Sequence, residues 1–185
     1  MELSEIEADV KNTLSETRYN HSKNVMDMCE KLAAHYNVDI ETAKKVGIAH
    51  DIAKEMPEDE KIKYMEDNNI AIDEIEKIYT RLLHAKIGAD IAVKKYGFTK
   101  EMADAIACHT TGRENMTMLD KILYIADETS LEREFEDVEY IRDLAFGNID
   151  EAVIYFLEKV MKKMFTQKDL IHIDTVLARN SLLNN

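Results

Sequence analysis

The sequence predicts an all-α, single-domain fold, and three observations carry the prediction. One proline and five glycines stand among 185 residues, so little interrupts a helix, while the strong helix formers Glu, Lys, Ala, Leu and Met are abundant. Apolar residues recur at three- and four-residue spacing along most of the chain, the period of a helix with one buried face. A chain of this length can bury a substantial core without disulfides or a structural metal, and no repeat, low-complexity tract or linker divides it.

Taken in order, Ser4 with Glu7 has the form of a capping box, and Ile6, Val10 and Leu14 follow at helical spacing. A second helix is expected from about Thr17, with His21, Val25, Met28, Leu32 and Tyr36 on its apolar stripe and Arg18 one turn before His21. Asp39 can cap a third helix that runs through Ala43, Val46 and Gly47 to His50-Asp51, and Pro57 breaks the chain before a fourth near Glu58 to Glu66. Asn68-Asn69 reads as a turn, after which Ile72, Ile75, Ile78 and Leu82 carry an apolar face toward His84. His84, Ile87, Ile91 and Lys95 share one side of a helix that Gly97 ends. Thr99 can cap the run Lys100 to Cys108, which His109 closes before Thr110-Thr111-Gly112-Arg113. Thr117 with Asp120 opens the helix that leads to Asp127, and Glu128 to Asp137 reads as an acidic surface loop. Val138 to Ala145, then Val153, Phe156, Leu157, Val160, Met161 and Met164, mark further helices whose Met and Phe are core or dimer contacts. His35 and His172 fall outside the pattern and are expected to face solvent or simple partners.

Charge and composition exclude several classes of function. A formal net charge of −13 opposes adhesion to nucleic acid or anionic membrane, since both reward a positive surface. A polyphosphate substrate would then need cations concentrated locally. No apolar run approaches the roughly 18 residues of a membrane span, and Met1-Glu2-Leu3-Ser4-Glu5 is acidic where a secretory signal is basic. The expectation is a soluble, cytoplasmic protein that binds neither nucleic acid nor membrane. Cys29 and Cys108 form no CxxC pair and read as reduced core thiols.

The chemistry-bearing residues are His21, His50, Asp51, His84, His109 and Asp127, which use four of the six histidines, each at or beside the buried end of a helix. A lone His-Asp pair is a weak signal, but four imidazoles and two carboxylates suffice for two divalent ions with positions left open to water. Asp127 follows the apolar run Ile122-Leu123-Tyr124-Ile125-Ala126, where an unpaired carboxylate is unfavourable and a neighbouring cation removes the difficulty.

The order His, His-Asp, His, His, Asp in an all-helical chain resembles the HD-domain superfamily of metal-dependent phosphohydrolases. Arg18-Tyr19-x-His21-Ser22, His50-Asp51-x-Ala53-Lys54, Leu83-His84-Ala85, His109-Thr110-Thr111-Gly112 and Leu119-Asp120-Lys121-x-x-Tyr124-x-Ala126-Asp127 are similar to its YqeK branch of symmetrical dinucleoside tetraphosphatases. The resemblance implies one HD-domain bundle over residues 1–185, with a motif-bearing core at 17–133 and C-terminal helices at 137–183 packed on it. It implies cleavage of diadenosine tetraphosphate into two ADP at a two-iron centre. His21, His50, Asp51 and Asp127 are then expected to hold one ion and His84 and His109 the other, with Asp51 shared. After Asp127 the chain departs from the branch, reading Ser130-Leu131-Glu132-Arg133 where related sequences commonly have Glu-Pro-Gly-Arg. The arginine is kept, a rigid turn is lost and the glutamate stands at the third position rather than the first.

In the mechanism this implies, two ions activate a water for in-line attack on a phosphoanhydride. Asp51 and Lys54 are the expected catalytic residues, Lys54 neutralising charge on the attacked phosphate. Arg18 and Arg133 clamp flanking phosphates, Thr110, Thr111 and Gly112 supply hydroxyl and backbone donors, and His84 also faces the substrate. Manganese, cobalt, nickel or zinc also suit this ligand set, and spare apolar surface on the C-terminal helices suggests a homodimer. Two alternatives stand beside this reading. One is another HD phosphohydrolase acting on a nucleoside monophosphate, dNTP, guanosine polyphosphate or cyclic dinucleotide, and the other is a nucleotide-binding module without turnover.

Overall fold

The computed structural model describes residues 1–184, and among them there are helices and no strand. Ten α-helices follow one another: α1 Leu3–Thr13, α2 Glu16–Tyr36, α3 Ile40–Ala49, α4 Glu58–Asp67, α5 Leu83–Ile91, α6 Lys100–Cys108, α7 Met118–Thr129, α8 Val138–Gly147, α9 Ile149–Gln167 and α10 Ile173–Leu183. A 3₁₀ turn, Thr80–Leu82, leads into α5, and a π-helical turn, Ala92–Tyr96, carries it to Gly97. The all-α bundle expected from the sequence is therefore the fold.

Several starts are those the capping residues predict. Asp39 accepts from Thr42 N at 2.7 Å, Thr99 accepts from Met102 N, and Thr117 with Asp120 forms a reciprocal capping box. Gly97 ends its helix at φ 72°, the left-handed conformation that costs glycine least.

Three local expectations are corrected. The first helix begins on Glu2, whose N–H donates to Glu5 Oε2 at 2.9 Å, because Glu7 is taken instead by the Tyr19 hydroxyl of α2 at 2.8 Å. The stretch before His84 makes no long amphipathic helix. Asp73 Oδ1 accepts from Ile75 N and Glu76 N at 2.8 and 2.9 Å, closing a short turn that stops, and Ile78 is 62% exposed. Finally, α7 runs on through Glu128 and Thr129, so the acidic loop starts at Ser130.

The main core lies where α2, α3 and α7 meet, with Leu32, Ile48, Ile122, Leu123 and Ile125 fully buried. At the contact of α2 with α3 stands Gly47, where a Cβ would meet Met26 Cα at 2.8 Å. A smaller apolar group, Ala53, Met65, Leu83 and Ile87, seats the beginning of α5. Phe165 and Ile173 on α9 and α10 stay exposed, and among the described residues no helix is long and apolar enough to cross a membrane.

Candidate metal centre

Five helices deliver their chemistry to one place. His50 and His109 are the C-terminal caps of α3 and α6, His84 is in the first turn of α5, His21 lies within α2, and Asp127 lies near the end of α7. The four imidazoles form a row, His21 to His50 at 5.4 Å between ring centres, His50 to His109 at 5.0 Å and His109 to His84 at 5.0 Å. Asp51 lies along that row and is 1% exposed. Its Oδ1 is 3.1 Å from His84 Nε2 and 3.5 Å from His109 Nε2. Its Oδ2 is 3.5 Å from His50 Nε2 and 3.9 Å from His21 Nε2. Asp127 Oδ1 closes the far end, 3.0 Å from His21 Nε2 and 3.9 Å from His50 Nε2. All six residues singled out by the sequence are thus joined in one cluster by contacts of 3.9 Å or less.

The helix ends decide which nitrogen each ring offers. Nδ1 of His50, His84 and His109 lies 2.8, 2.5 and 2.7 Å from the carbonyl oxygen three residues earlier, on Gly47, Arg81 and Ile106. A carbonyl only accepts, so Nδ1 carries the proton and Nε2 of the neutral ring keeps its lone pair toward the cluster. Carbonyls in the last turn of a helix lack their i+4 partners, which leaves that of Gly47 to its ring, while that of Ile106 accepts from both His109 N and His109 Nδ1.

The donor set fits a divalent cation. His21 Nε2, His50 Nε2 and Asp51 Oδ1 are buried with no hydrogen-bond partner, an arrangement that costs free energy until a cation or a donor satisfies it. Two overlapping triads, His21-His50-Asp127 and His50-Asp51-His109, bring one ligand atom per residue within 4.8 Å of one another. A third group, Asp73-Glu76-His172, is equally close, but its atoms are already engaged. His172 Nε2 meets Asp73 Oδ2 at 2.6 Å, and Glu76 Oε2 accepts from Lys86 at 2.6 Å. His172 is therefore a buried partner of Asp73, the second of the two settings expected for it.

Burial pushes the charges hard. It opposes ionisation of Asp51, yet the imidazoles of His50, His109 and His84 packed against it hold that carboxyl well below the usual range. Asp127 is lowered too, its burial outweighed by the close contact with His21 and then by His50. His21 is raised because Asp127, Glu132 and Asp51 together overcome burial. Glu128, read from the sequence as a loop residue, is pushed up to about 7 by burial and by the adjacent Asp127 charge. Burial drives His84 down to about 4, with His109 and Lys54 adding to it against Asp51.

The His84 shift has a measurable consequence. Its folded value lies below that of a free imidazole, so between pH 6.5 and about 4 the unfolded chain binds more protons and stability rises with pH. The contribution is complete above the unfolded value and is lost as pH falls toward the folded one. Calorimetry of chelator-treated protein is expected to show Tm falling across that window by the equivalent of roughly 3 kcal/mol. His84→Gln should flatten that slope, and an equally steep slope in the variant would remove His84 as its origin.

Three cations rim the cluster. Arg18 Nη1 is 2.9 Å from Asp51 Oδ2, Lys54 Nζ is 3.6 Å from Asp51 Oδ1, and Arg133 Nη2 is 2.8 Å from Asp127 Oδ1. Their side chains are 32, 34 and 35% exposed beside nearly inaccessible carboxylates, so positive charge gathers at the mouth despite the acidic whole. The loop after His109 looks elsewhere. Thr111 Oγ1 donates to Gly112 O at 2.9 Å, and Gly112, at φ 69°, packs so tightly that a Cβ would meet Ala178 of α10 at 2.8 Å. Thr110 and Thr111 line a cavity of 180 Å³ with Lys86, Arg113 and His172. Sequence reasoning missed Glu132, whose carboxylate meets His21 Nδ1; no periodicity marks a loop residue for such a role.

A helical bundle with an interior cluster of histidines and aspartates able to take a metal ion, and cations at its mouth, defines a class of hydrolase. The chain belongs to the HD-domain family of phosphohydrolases, whose HD domain model matches residues 18–132. It is 31% identical over 185 residues to the symmetrical bis(5'-nucleosyl)-tetraphosphatase of Bacillus subtilis, covering 100% of this chain and 99% of that one. It is 33% identical to the protein of the same name from Halalkalibacterium halodurans, covering 94% and 93%. It also superposes with a TM-score of 0.95 and 34% identity on the crystal structure of a predicted HD superfamily hydrolase involved in NAD metabolism from Clostridium acetobutylicum, over 100% of this chain and 98% of that one.

Proposed function

We propose that this chain hydrolyses dinucleoside tetraphosphates symmetrically, releasing two nucleoside diphosphates, with diadenosine tetraphosphate as the leading substrate. The observation that carries the reading is the convergence of six histidine and aspartate side chains beneath three partly exposed cations. Near full-length similarity to two tetraphosphatases supports the substrate class. His21, His50, Asp51 and Asp127 would hold one ion and His84 and His109 a second, with Asp51 serving both; iron is the leading candidate. Bound there, divalent ions supply Lewis acidity and activate water toward phosphorus. The chain's own groups do the rest. Arg18 and Arg133 bind and orient the phosphates by charge-assisted hydrogen bonds, and Lys54 neutralises charge on the phosphate under attack. The Nδ1–H donations of His50, His84 and His109 fix the rings so that no reorganisation is needed.

The test is an anaerobic preparation given diadenosine tetraphosphate, with products separated chromatographically and metals quantified in the same sample. Two ADP per dinucleotide is the expected result. AMP with ATP would overturn symmetrical cleavage. Tight ADP binding with no turnover after iron, manganese or cobalt is supplied would make the chain a binding module, and preference for another nucleotide would move it elsewhere among HD phosphohydrolases.

A further inference from the structure

We propose that Glu132 is the positioning residue that fixes the ring of His21, holding its proton on Nδ1 so that Nε2 is offered to a divalent cation. The inference rests on reading His21 as a ligand, and its ground is a difference among the four imidazoles. Each of the other three hands its Nδ1 proton to a carbonyl three residues back. His21 has no such recourse. It sits inside α2, five residues past the first residue Glu16, where the backbone carbonyls before it are committed to the helix's own N–H groups. A side chain from elsewhere must take the proton, and Glu132 does so from the loop after α7.

The carboxylate is itself held from both sides. Asn24, one turn after His21 on α2, donates Nδ2–H to Glu132 Oε2 at 2.6 Å. The Ser130 hydroxyl donates to Oε1 at 2.8 Å. A carboxylate accepts only, so its contact fixes Nδ1 as the donor, and its charge makes the opposite nitrogen a stronger electron-pair donor. His21 Nε2, buried and without a hydrogen-bond partner, faces His50 and Asp127. The loop does not depend on Glu132 for its place. Arg142 binds the carbonyls of Thr129, Ser130 and Arg133 at 2.9, 2.7 and 3.2 Å, and Arg133 Nε binds Asp127 O at 3.0 Å. Ser130 and Glu132, where the chain departs from the resemblance noted above, thus form one device with Asn24, and the Glu132 charge is directed at His21.

The test is a titration of metal-stripped, full-length protein with Co²⁺ alone, followed by visible absorption. Glu132→Ala is expected to weaken one class of cobalt site by about 10- to 100-fold, while Tm of the stripped protein moves little. Glu132→Gln, which keeps an accepting oxygen without the charge, should lose less and remains informative should the alanine variant not fold. In a His21→Ala background the Glu132 substitution should have no further effect on cobalt affinity, since a residue acting through another couples fully to it. In zinc-loaded protein, ¹⁵N-histidine NMR should show His21 protonated at Nδ1. Wild-type cobalt affinity in both Glu132 variants, an undiminished effect without His21, or a His21 ring bound through Nδ1 would each overturn the proposal. No nucleotide enters these measurements. Graded cobalt binding in a protein that leaves diadenosine tetraphosphate intact would therefore sink the proposed substrate and leave the role of Glu132 standing.

Discussion

Replacing Asp51 by alanine is expected to remove metal retention and hydrolysis together, with turnover falling by on the order of a thousandfold or more. Lewis-acid stabilisation of a phosphoryl transition state amounts to several kcal/mol, and each 1.4 kcal/mol is roughly a factor of ten. The expectation is specific to this residue because its two oxygens face different neighbours, Oδ1 toward His84 and His109 and Oδ2 toward His50 and His21. No other side chain in the cluster addresses both ends of the imidazole row. Arg18 and Lys54, left without their partner, are partly exposed and can be solvated, so the variant should fold; a melting curve of the stripped protein checks this. Asp51→Asn keeps the shape and loses the charge and should fail almost as completely, because an amide oxygen is a much weaker ligand for an ion that four neutral imidazoles cannot neutralise. Metal analysis after dialysis and product chromatography on one sample decide the matter. Turnover that persists while the metal is gone would refute the proposed chemistry.

What the sequence disclosed follows from where its information is local. His50, His109 and Asp127 were legible because each sits where an apolar helical run gives out, and a polar ligand at the buried end of a helix breaks the pattern visibly. The caps Asp39, Thr99 and Thr117 were legible for the same reason, since a cap acts on backbone two or three residues away. The failures came where long-range contacts overrode local rules. Glu7 abandons its capping box for Tyr19, twelve residues on. Asp73 uses its side chain on the nearby backbone and on His172, which ends a turn that the spacing of Ile72, Ile75 and Ile78 extends. Glu132 reaches His21 across 111 residues, and only the fold could pair them. Arg133 illustrates a third case: the sequence offers it as a phosphate contact, and the fold places it against Asp127 while keeping part of its side chain open to solvent.

Adding side-chain volume at Gly47 is expected to destabilise the protein and to weaken cation binding, although glycine-to-alanine changes within helices usually stabilise. In a helix interior alanine is favoured over glycine by about 1 kcal/mol, and Gly47 lies within α3. Against that gain, its Cβ would stand 2.8 Å from Met26 Cα, 3.1 Å from Cys29 Sγ and 3.2 Å from Met26 N. Two of those atoms belong to the backbone of α2, so no rotamer change relieves the contact and the helices must separate. Overpacking of this kind costs about 1–3 kcal/mol, which leaves Gly47→Ala destabilised by about 1 kcal/mol or somewhat more. Gly47→Val adds two methyl groups beyond the alanine Cβ, with β-branching, and should lose about 3 kcal/mol or more, a fall in Tm of roughly 6–12 °C for a chain of this size. The same separation reaches the site, because α2 carries His21 while α3 ends on His50, and their rings are only 5.4 Å apart. Cobalt affinity should therefore fall in step with stability, even though Gly47 contributes no ligand atom. Urea unfolding and cobalt titration of the two variants test both halves. A Gly47→Ala protein more stable than wild type with unchanged cobalt binding would show that α2 and α3 have slack between them, and that the approach of His21 to His50 is set by something other than the missing side chain at position 47.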